Sequence, residues 1–328
     1  MKKFKLRYSL LSVIAVLGIF FSAAEAEEIR VVPLGKAVGI QVYTDGLLVV
    51  GSSEVNGENI AKKYGIKIND RIMSINGEDA KSCEQLSEAI NLSPKNVELS
   101  VRRDNQDILI NAVPAMTGDN IYRLGLWVRD STAGIGTLTY YEPSSNTFAA
   151  LGHSINDVDT GNILSVKSGN IRDCSILSVT KSTKGSPGEL NGAFDGDKTG
   201  EVQLNTHIGI FGSFDAPPQN SEEAIPIAAK AQLHEGEAYI ISDVLGQRDK
   251  YTVKIDKITN DADKGLVIEI TDQRLLDATG GIVQGMSGSP IIQDGRLAGA
   301  VTHVFVNNPS KGYGTLAENM IDMTNKLS

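Results

Sequence analysis

From Tyr122 onward the chain keeps one habit: short runs of apolar, β-branched and aromatic residues stop at glycine-bearing turns and start again. YRLGLWV, GIGTLTYYE, TFAALGHSI, VQLNTHIGIFGSF, YTVKIDKI, GLVIEITD and LAGAVTHVFV are typical of at least ten such runs, and none of the stretches between them carries the period of a long helix. Strands this short and this numerous bury their apolar faces as barrels or sandwiches. The 33 glycines set against one tryptophan fit a turn-rich, mainly β protein. One helix is expected here, in the terminal run AENMIDMTNKLS.

The N-terminus is a different object. Lys2, Lys3, Lys5 and Arg7 precede an uncharged stretch from Tyr8 to Ala24, and Ala24-Glu25-Ala26 supplies an A-x-A pattern. Residues 1–26 therefore read as a signal peptide or a signal anchor, which puts the rest of the chain across a membrane. If uncleaved, residues 8–24 would keep it in contact with that membrane. The formal net charge is −9 and becomes more negative once the four basic residues of this segment are set aside, so a phosphate backbone is excluded as a partner. Cys83 and Cys174 are the two cysteines, far apart in sequence; they support neither a disulfide framework nor a thiolate zinc site. No ligand spacing of His, Cys or carboxylate residues points to a metal or another cofactor.

At 328 residues the chain has room for two domains. Residues 37–104 form the first. Two β-rich runs, Gly39 to Tyr43 and Leu47 to Val50, flank a turn at Thr44-Asp45-Gly46. A helical run around Ile60 to Tyr64 ends at Gly65, and a strand RIMSI runs into the Asn76-Gly77 turn. A helix from about Cys83 to Ile90 then precedes the strand VELSVRR. The stretch GIKINDRIMSINGEDAKSCEQLSEAI resembles the bacterial PDZ domain. Such domains bind extended peptide ends by strand addition, and the resemblance implies that Val38, Gly39 and Ile40 supply the carboxylate-binding loop. A spacer, or a lid on the neighbouring domain, is the alternative use of that fold. Residues 105–120, with Pro114 and a Gly-Asp-Asn turn, read as a linker, and residues 121–328 as the second domain.

In the second domain glycines crowd one serine: Gly280-Gly281-Ile282-Val283-Gln284-Gly285-Met286-Ser287-Gly288-Ser289-Pro290. A nucleophilic hydroxyl needs a tight turn whose backbone N–H groups converge on the developing oxyanion, and small residues permit that turn. The G-x-S-G-x-P pattern resembles the nucleophile loop of chymotrypsin-like serine peptidases, in which case the N–H groups of Gly285 and Ser287 form the oxyanion hole. A plain hairpin turn is the other reading.

His153 follows the apolar run Ala149-Ala150-Leu151-Gly152, upstream of the serine, as in the His-Asp-Ser order of the chymotrypsin arrangement. It is the candidate general base for Ser287. His207 reads as buried in a strand and His234 as solvated in a polar loop. His303 lies sixteen residues beyond Ser287, where the substrate's first pocket or the core would each accommodate it. For the acid, Asp272 at the end of GLVIEIT is preferred. Asp277 is close behind, and Asp157, Asp159 and Asp195 are more remote. A Ser/Lys dyad finds no suitable lysine.

Taken together, the signal segment, the PDZ pattern, GHSINDVDTG and TDQRLLDATGGIVQGMSGSPIIQDGRLAGAVTHVFVNNPSKGYG resemble the stage IV sporulation protein B peptidases of endospore-forming bacteria. The resemblance implies a PDZ domain followed by a chymotrypsin-like double β-barrel, with the triad on His153, Asp272 and Ser287. It also implies secretion into the space between the forespore membranes. Cleavage of the chain itself and of a membrane-bound regulator would follow, freeing an intramembrane protease to process a late mother-cell sigma factor. The rival from another class is a non-catalytic, PDZ-based peptide-binding or scaffold protein.

Overall fold

The computed structural model describes residues 28–194, 196–219 and 223–327. The export segment expected over residues 1–26, and Asp195, lie outside them. Among the described residues no helix is long and apolar enough to cross a membrane.

Two closed six-stranded rings dominate the fold. The first starts with the 23-residue strand Arg30–Ser52 and continues through Leu126–Glu142, Thr147–Ala150, Gly209–Phe214, Lys198–Thr206 and Val166–Asp173, which pairs back to the first strand. Val38, Ile40, Val42, Leu138, Phe148, Ile171 and Ile210 fill its interior. The second ring runs Gly236–Ser242, Asp249–Ile258, Leu266–Ile270, Asn308–Leu316, Arg296–Phe305 and Pro290–Gln293. Its core holds Ile240, Val253, Ile255, Ile268, Ile291 and Val301. A third apolar cluster, with Tyr140, Phe211, Ile292, Ala300 and Met320, joins strands of both rings to the terminal helix Ala317–Thr324. The expected mainly β, double-barrel architecture is what the chain adopts.

The boundaries of the first domain differ from the sequence reading. Arg30–Ser52 does not turn at Thr44-Asp45-Gly46. It bulges there, with the Thr44 hydroxyl donating to the carbonyl of Gly46 at 2.6 Å, and runs on. Its first half is a stave of the first barrel. Its second half, Leu47–Ser52, belongs to a helix-bearing unit with the helices Ile60–Lys63 and Cys83–Leu92 and the strands Arg71–Ile75, Val97–Arg103 and Gln106–Ala112. The core of that unit extends from Leu47 to Leu124.

Residues 105–120 are accordingly no linker. Gln106–Ala112 pairs along its length with Val97–Arg103, and Ala115–Met116 pairs with Tyr122–Arg123. The barrel enters the unit through one strand and leaves it through another, Leu126–Glu142, which also bridges both bodies. The peptidase fold thus includes residues 30–44 as well as the region from 121 onward.

Val38, Gly39 and Ile40 are corrected by the same finding. Each is paired on both edges, to Gly136, Ile135 and Gly134 on one side and to Asp173, Arg172 and Ile171 on the other. Val38 and Ile40 are buried in the barrel core. No backbone N–H there is left to receive a peptide carboxylate, because alternation put these side chains into the barrel and the ladder took the edges.

Candidate active site

The two barrels meet at the segments that carry His153 and Ser287. On the first barrel the strand Thr147–Ala150 ends in two residues with left-handed backbone, Leu151 (φ 68°) and Gly152 (φ 69°), and these swing His153 toward the second barrel. Gly152 has to be glycine twice over: besides its φ, a Cβ there would lie 2.9 Å from Thr302 Cγ2 on the opposing barrel. The loop beyond His153 is pinned from beneath by Asn205. Its Oδ1 accepts from the Ile155 N–H at 2.8 Å, while its Nδ2 donates to the carbonyls of Ile155 at 2.8 Å and Leu164 at 2.9 Å. No sequence motif marks Asn205, whose partners lie 50 and 41 positions away.

On the second barrel, helix Gln273–Thr279 closes at Gly280 and the chain runs through Gly285-Met286-Ser287-Gly288 into the strand Pro290–Gln293. Met286 is fully buried beneath the turn and Ser287 is half-buried on its rim. Gly288 has φ 100°, and a Cβ on it would stand 1.9 Å from the Thr137 carbonyl of the first barrel. Thr137 also bonds the loop: its N–H donates to the Ser287 carbonyl at 2.9 Å and its hydroxyl to the Gly285 carbonyl at 2.7 Å. The hairpin Ser175–Thr180 and Glu189–Ala193 props the same loop. The Leu190 N–H donates to the Gln284 carbonyl and the Gln284 N–H to the Gly188 carbonyl, each at 2.8 Å. That orients the 284–285 peptide. Among the described residues, neither the Gly285 N–H nor the Ser287 N–H is bonded to a backbone carbonyl.

His153 and Ser287 line one cleft of about 500 Å³. Its walls include Thr132 to Ile135 from the first barrel and Ile282 to Gly285 with Thr302 to Val304 from the second, and among the described residues no Asp, Glu, Lys or Arg lines it. The Ser287 hydroxyl donates to the Thr302 carbonyl at 2.6 Å. His153 Nδ1 lies 2.8 Å from the Ser154 carbonyl. A carbonyl only accepts, so the neutral ring carries its proton on Nδ1 and leaves Nε2 basic. The His303 ring packs against that of His153 with centroids 4.8 Å apart. Desolvation holds the His153 pKa below the ordinary imidazole value. It pushes His303 down to about 4, with the neighbouring His153 adding to the effect.

The carboxylate candidates lie elsewhere. Asp272 caps helix Gln273–Thr279 by accepting from the Arg274 N–H at 3.0 Å, and its side chain meets the Arg274 guanidinium at 2.9 Å and the Thr252 N–H at 3.4 Å. The guanidinium holds its carboxyl below the usual range. With those partners it makes no hydrogen bond to His153, so the expected third member of a triad is not joined to the other two in this structure. The reason is local: Asp272 does follow the strand Leu266–Ile270, but its carboxylate caps the helix that starts there and pairs with Arg274.

Asp277 is exposed on the same helix and accepts from Gln273 at 2.7 Å. Asp157 is buried and Asp159 exposed, and both pair with Arg129. His207 stands exposed in a turn 3.5 Å from Asp263, not inside a strand, and His234 is exposed beside Asp294. Among the described residues no group of three or more His, Cys, Asp or Glu could hold a metal ion.

The model of the SpoIVB peptidase family, S55, matches residues 120–321, well over half of the chain. No curated protein matches. Among solved structures, the inactive serine-to-alanine form of Rv3671c from M. tuberculosis is 12% identical with a TM-score of 0.31, the match covering 59% of this chain and 80% of that one. Human heparin binding protein is 12% identical with a TM-score of 0.29, covering 55% and 74%. The chain belongs to the SpoIVB peptidase family and is a serine endopeptidase.

Proposed function

We propose that Ser287 is the nucleophile of this peptidase and His153 its general base. The observation that carries the reading is that opposite barrels bring these two side chains to the wall of one cleft. In the resting arrangement the Ser287 proton is held by the Thr302 carbonyl. A χ1 rotation turns the hydroxyl toward His153 Nε2, which takes the proton as Oγ attacks the scissile carbonyl and returns it to the leaving amine. The N–H groups of Gly285 and Ser287, neither bonded to a backbone carbonyl among the described residues, are left for the oxyanion in a loop that the bonds to the Gln284, Gly285 and Ser287 carbonyls hold in place. His153 is held in its working tautomer by the Ser154 carbonyl rather than by a carboxylate.

The uncharged cleft supports substrates with an apolar or small side chain beside the scissile bond. The biological setting that fits the family is sporulation signalling: export into the space between the forespore membranes, self-cleavage, and cleavage of a membrane-bound regulator of an intramembrane protease. The helix-bearing unit, by its likeness to PDZ domains, would engage the polypeptides being cut. Purified protein and its Ser287→Ala variant, compared for cleavage of casein and of themselves, test the catalytic assignment. Loss of both activities supports it, and equal activity overturns it.

A further inference from the structure

The catalytic cleft holds two imidazoles, one from each barrel. His153 arrives from the end of Thr147–Ala150, and His303 stands in the strand Arg296–Phe305, next to the Thr302 carbonyl that accepts the Ser287 hydroxyl. Their ring centroids are 4.8 Å apart, with the planes tilted by 39°. Peptide cleavage as derived above moves a proton through His153 alone and gives His303 no chemical part.

Three features make the pair a ligand set. The first is the tautomer of His153, whose Nδ1–H donates to the Ser154 carbonyl at 2.8 Å. A carbonyl on one ring nitrogen is the outer-shell arrangement that aims the other nitrogen of a ligating histidine at its metal ion. The second is His303, whose surroundings supply burial and neighbouring charge but no hydrogen bond, so its nitrogens are open to a ligand. The third is the lining of the cleft. Among the described residues it has no Lys or Arg to repel a cation and no Asp or Glu to favour a hard one such as calcium or magnesium. Imidazole nitrogens select zinc and its transition-metal neighbours instead.

The spacing suits a tetrahedral zinc ion, which holds nitrogens at about 2.0–2.1 Å and therefore about 3.4 Å from each other. Rings with centroids 4.8 Å apart reach that separation by turning about χ2, with both barrels in place. Ser287 Oγ, its proton engaged by the Thr302 carbonyl, keeps lone pairs for the same ion, and water completes the shell. Two nitrogens and a hydroxyl bind more weakly than the four-ligand sets of structural zinc, so the ion exchanges.

We propose that His153 and His303 form a reversible zinc site across the two barrels, and that an ion bound there silences the peptidase. The ion takes the Nε2 lone pair that would accept the Ser287 proton, so metal binding and turnover exclude each other. Occupancy of the site is independent of the role of His153 as base. The inhibition rests on that role, and the two are measured separately.

The chain has four histidines. The other two, His207 and His234, are exposed and each faces one aspartate, Asp263 or Asp294. Replacing both by alanine, in protein without a histidine tag, leaves the cleft pair alone. Calorimetric titration of this His207→Ala, His234→Ala protein with zinc chloride should show one ion bound in the micromolar range. Adding His303→Gln or His153→Gln should weaken binding by more than about 100-fold, since even an outer-shell partner is worth about 10- to 100-fold. Saturating zinc should slow peptide cleavage by at least about tenfold, EDTA should restore it, and calcium and magnesium should leave it unchanged. His303→Gln, compared with its own metal-free rate, should escape zinc. Absence of stoichiometric zinc binding, or binding and inhibition that survive His303→Gln, overturns the proposal and leaves the assignment of Ser287 and His153 untouched. Zinc that binds the pair while turnover is undiminished overturns the inhibition and, with it, His153 as the base.

Discussion

Thr137 holds Ser287 from the opposite barrel, its N–H donating to the Ser287 carbonyl at 2.9 Å while its hydroxyl, 2.7 Å from the Gly285 carbonyl, fixes the other side of the same turn. The nucleophile's position is thus an inter-barrel property. Thr137→Val keeps the shape and the backbone bond but leaves the buried Gly285 carbonyl without its donor, a loss of about 1–3 kcal/mol. Steady-state kinetics on a short peptide should show kcat reduced about 10- to 100-fold with KM little changed. An unchanged kcat would mean that the loop holds its geometry without Thr137.

The pH profile follows from the state of His153. Only the neutral ring accepts the Ser287 proton, and desolvation lowers the His153 pKa from 6.5. Activity should therefore persist as the pH falls through 6.5 and decline only on passing the depressed value, as read from the acid limb of kcat/KM. His303→Ala opens one face of the ring to water and should move that limb up toward 6.5. A wild-type limb at or above 6.5 would contradict a desolvated base.

Asp272 acts through the helix it caps. Asp272→Ala removes the cap and the Arg274 pairing at the start of the helix that feeds the Ser287 loop, with about 1 kcal/mol lost from the cap. Lower activity should accompany a lower Tm, and the acid limb should stay in place. A displaced acid limb with an unchanged Tm would instead show direct coupling to His153.

Asn205 is expected to matter as much as any residue in the cleft. Asn205→Ala strands the Ile155 N–H and two carbonyls under the His153 loop, so kcat should fall about tenfold and urea unfolding should show about 2 kcal/mol of lost stability. Asn205→Asp should do no better, because it keeps the acceptor but turns a carboxylate toward two carbonyl oxygens. Full activity in either variant would remove Asn205 from the account.

Some of this was legible in the sequence and some was not, for identifiable reasons. The glycine-punctuated runs announced barrels, and the crowded serine and the histidine at a strand end pointed to the two residues that share the cleft. The run from Arg30 to Ser52 is ambiguous because Val38, Ile40 and Val42 alternate in the same way whether they serve a hairpin or a barrel stave, and Asp45-Gly46 has the residues of a turn while forming a bulge. Helix Gln273–Thr279 carries both its signals, an Asp at the N-cap and a left-handed Gly280 at its end, but seven residues are too few to show a period. Thr137 and Asn205 left no trace in the sequence. Their partners are 148 positions away for Thr137 and 50 and 41 for Asn205, and only folding brings them together.

The central claim is that Ser287 is a nucleophile activated by His153, and covalent labelling by a fluorophosphonate probe tests it most directly. Labelling of the wild type on Ser287, absent in Ser287→Ala and strongly reduced in His153→Ala, is the predicted result. Labelling that persists undiminished in His153→Ala, or a wild type that stays unlabelled while cutting casein, would contradict it.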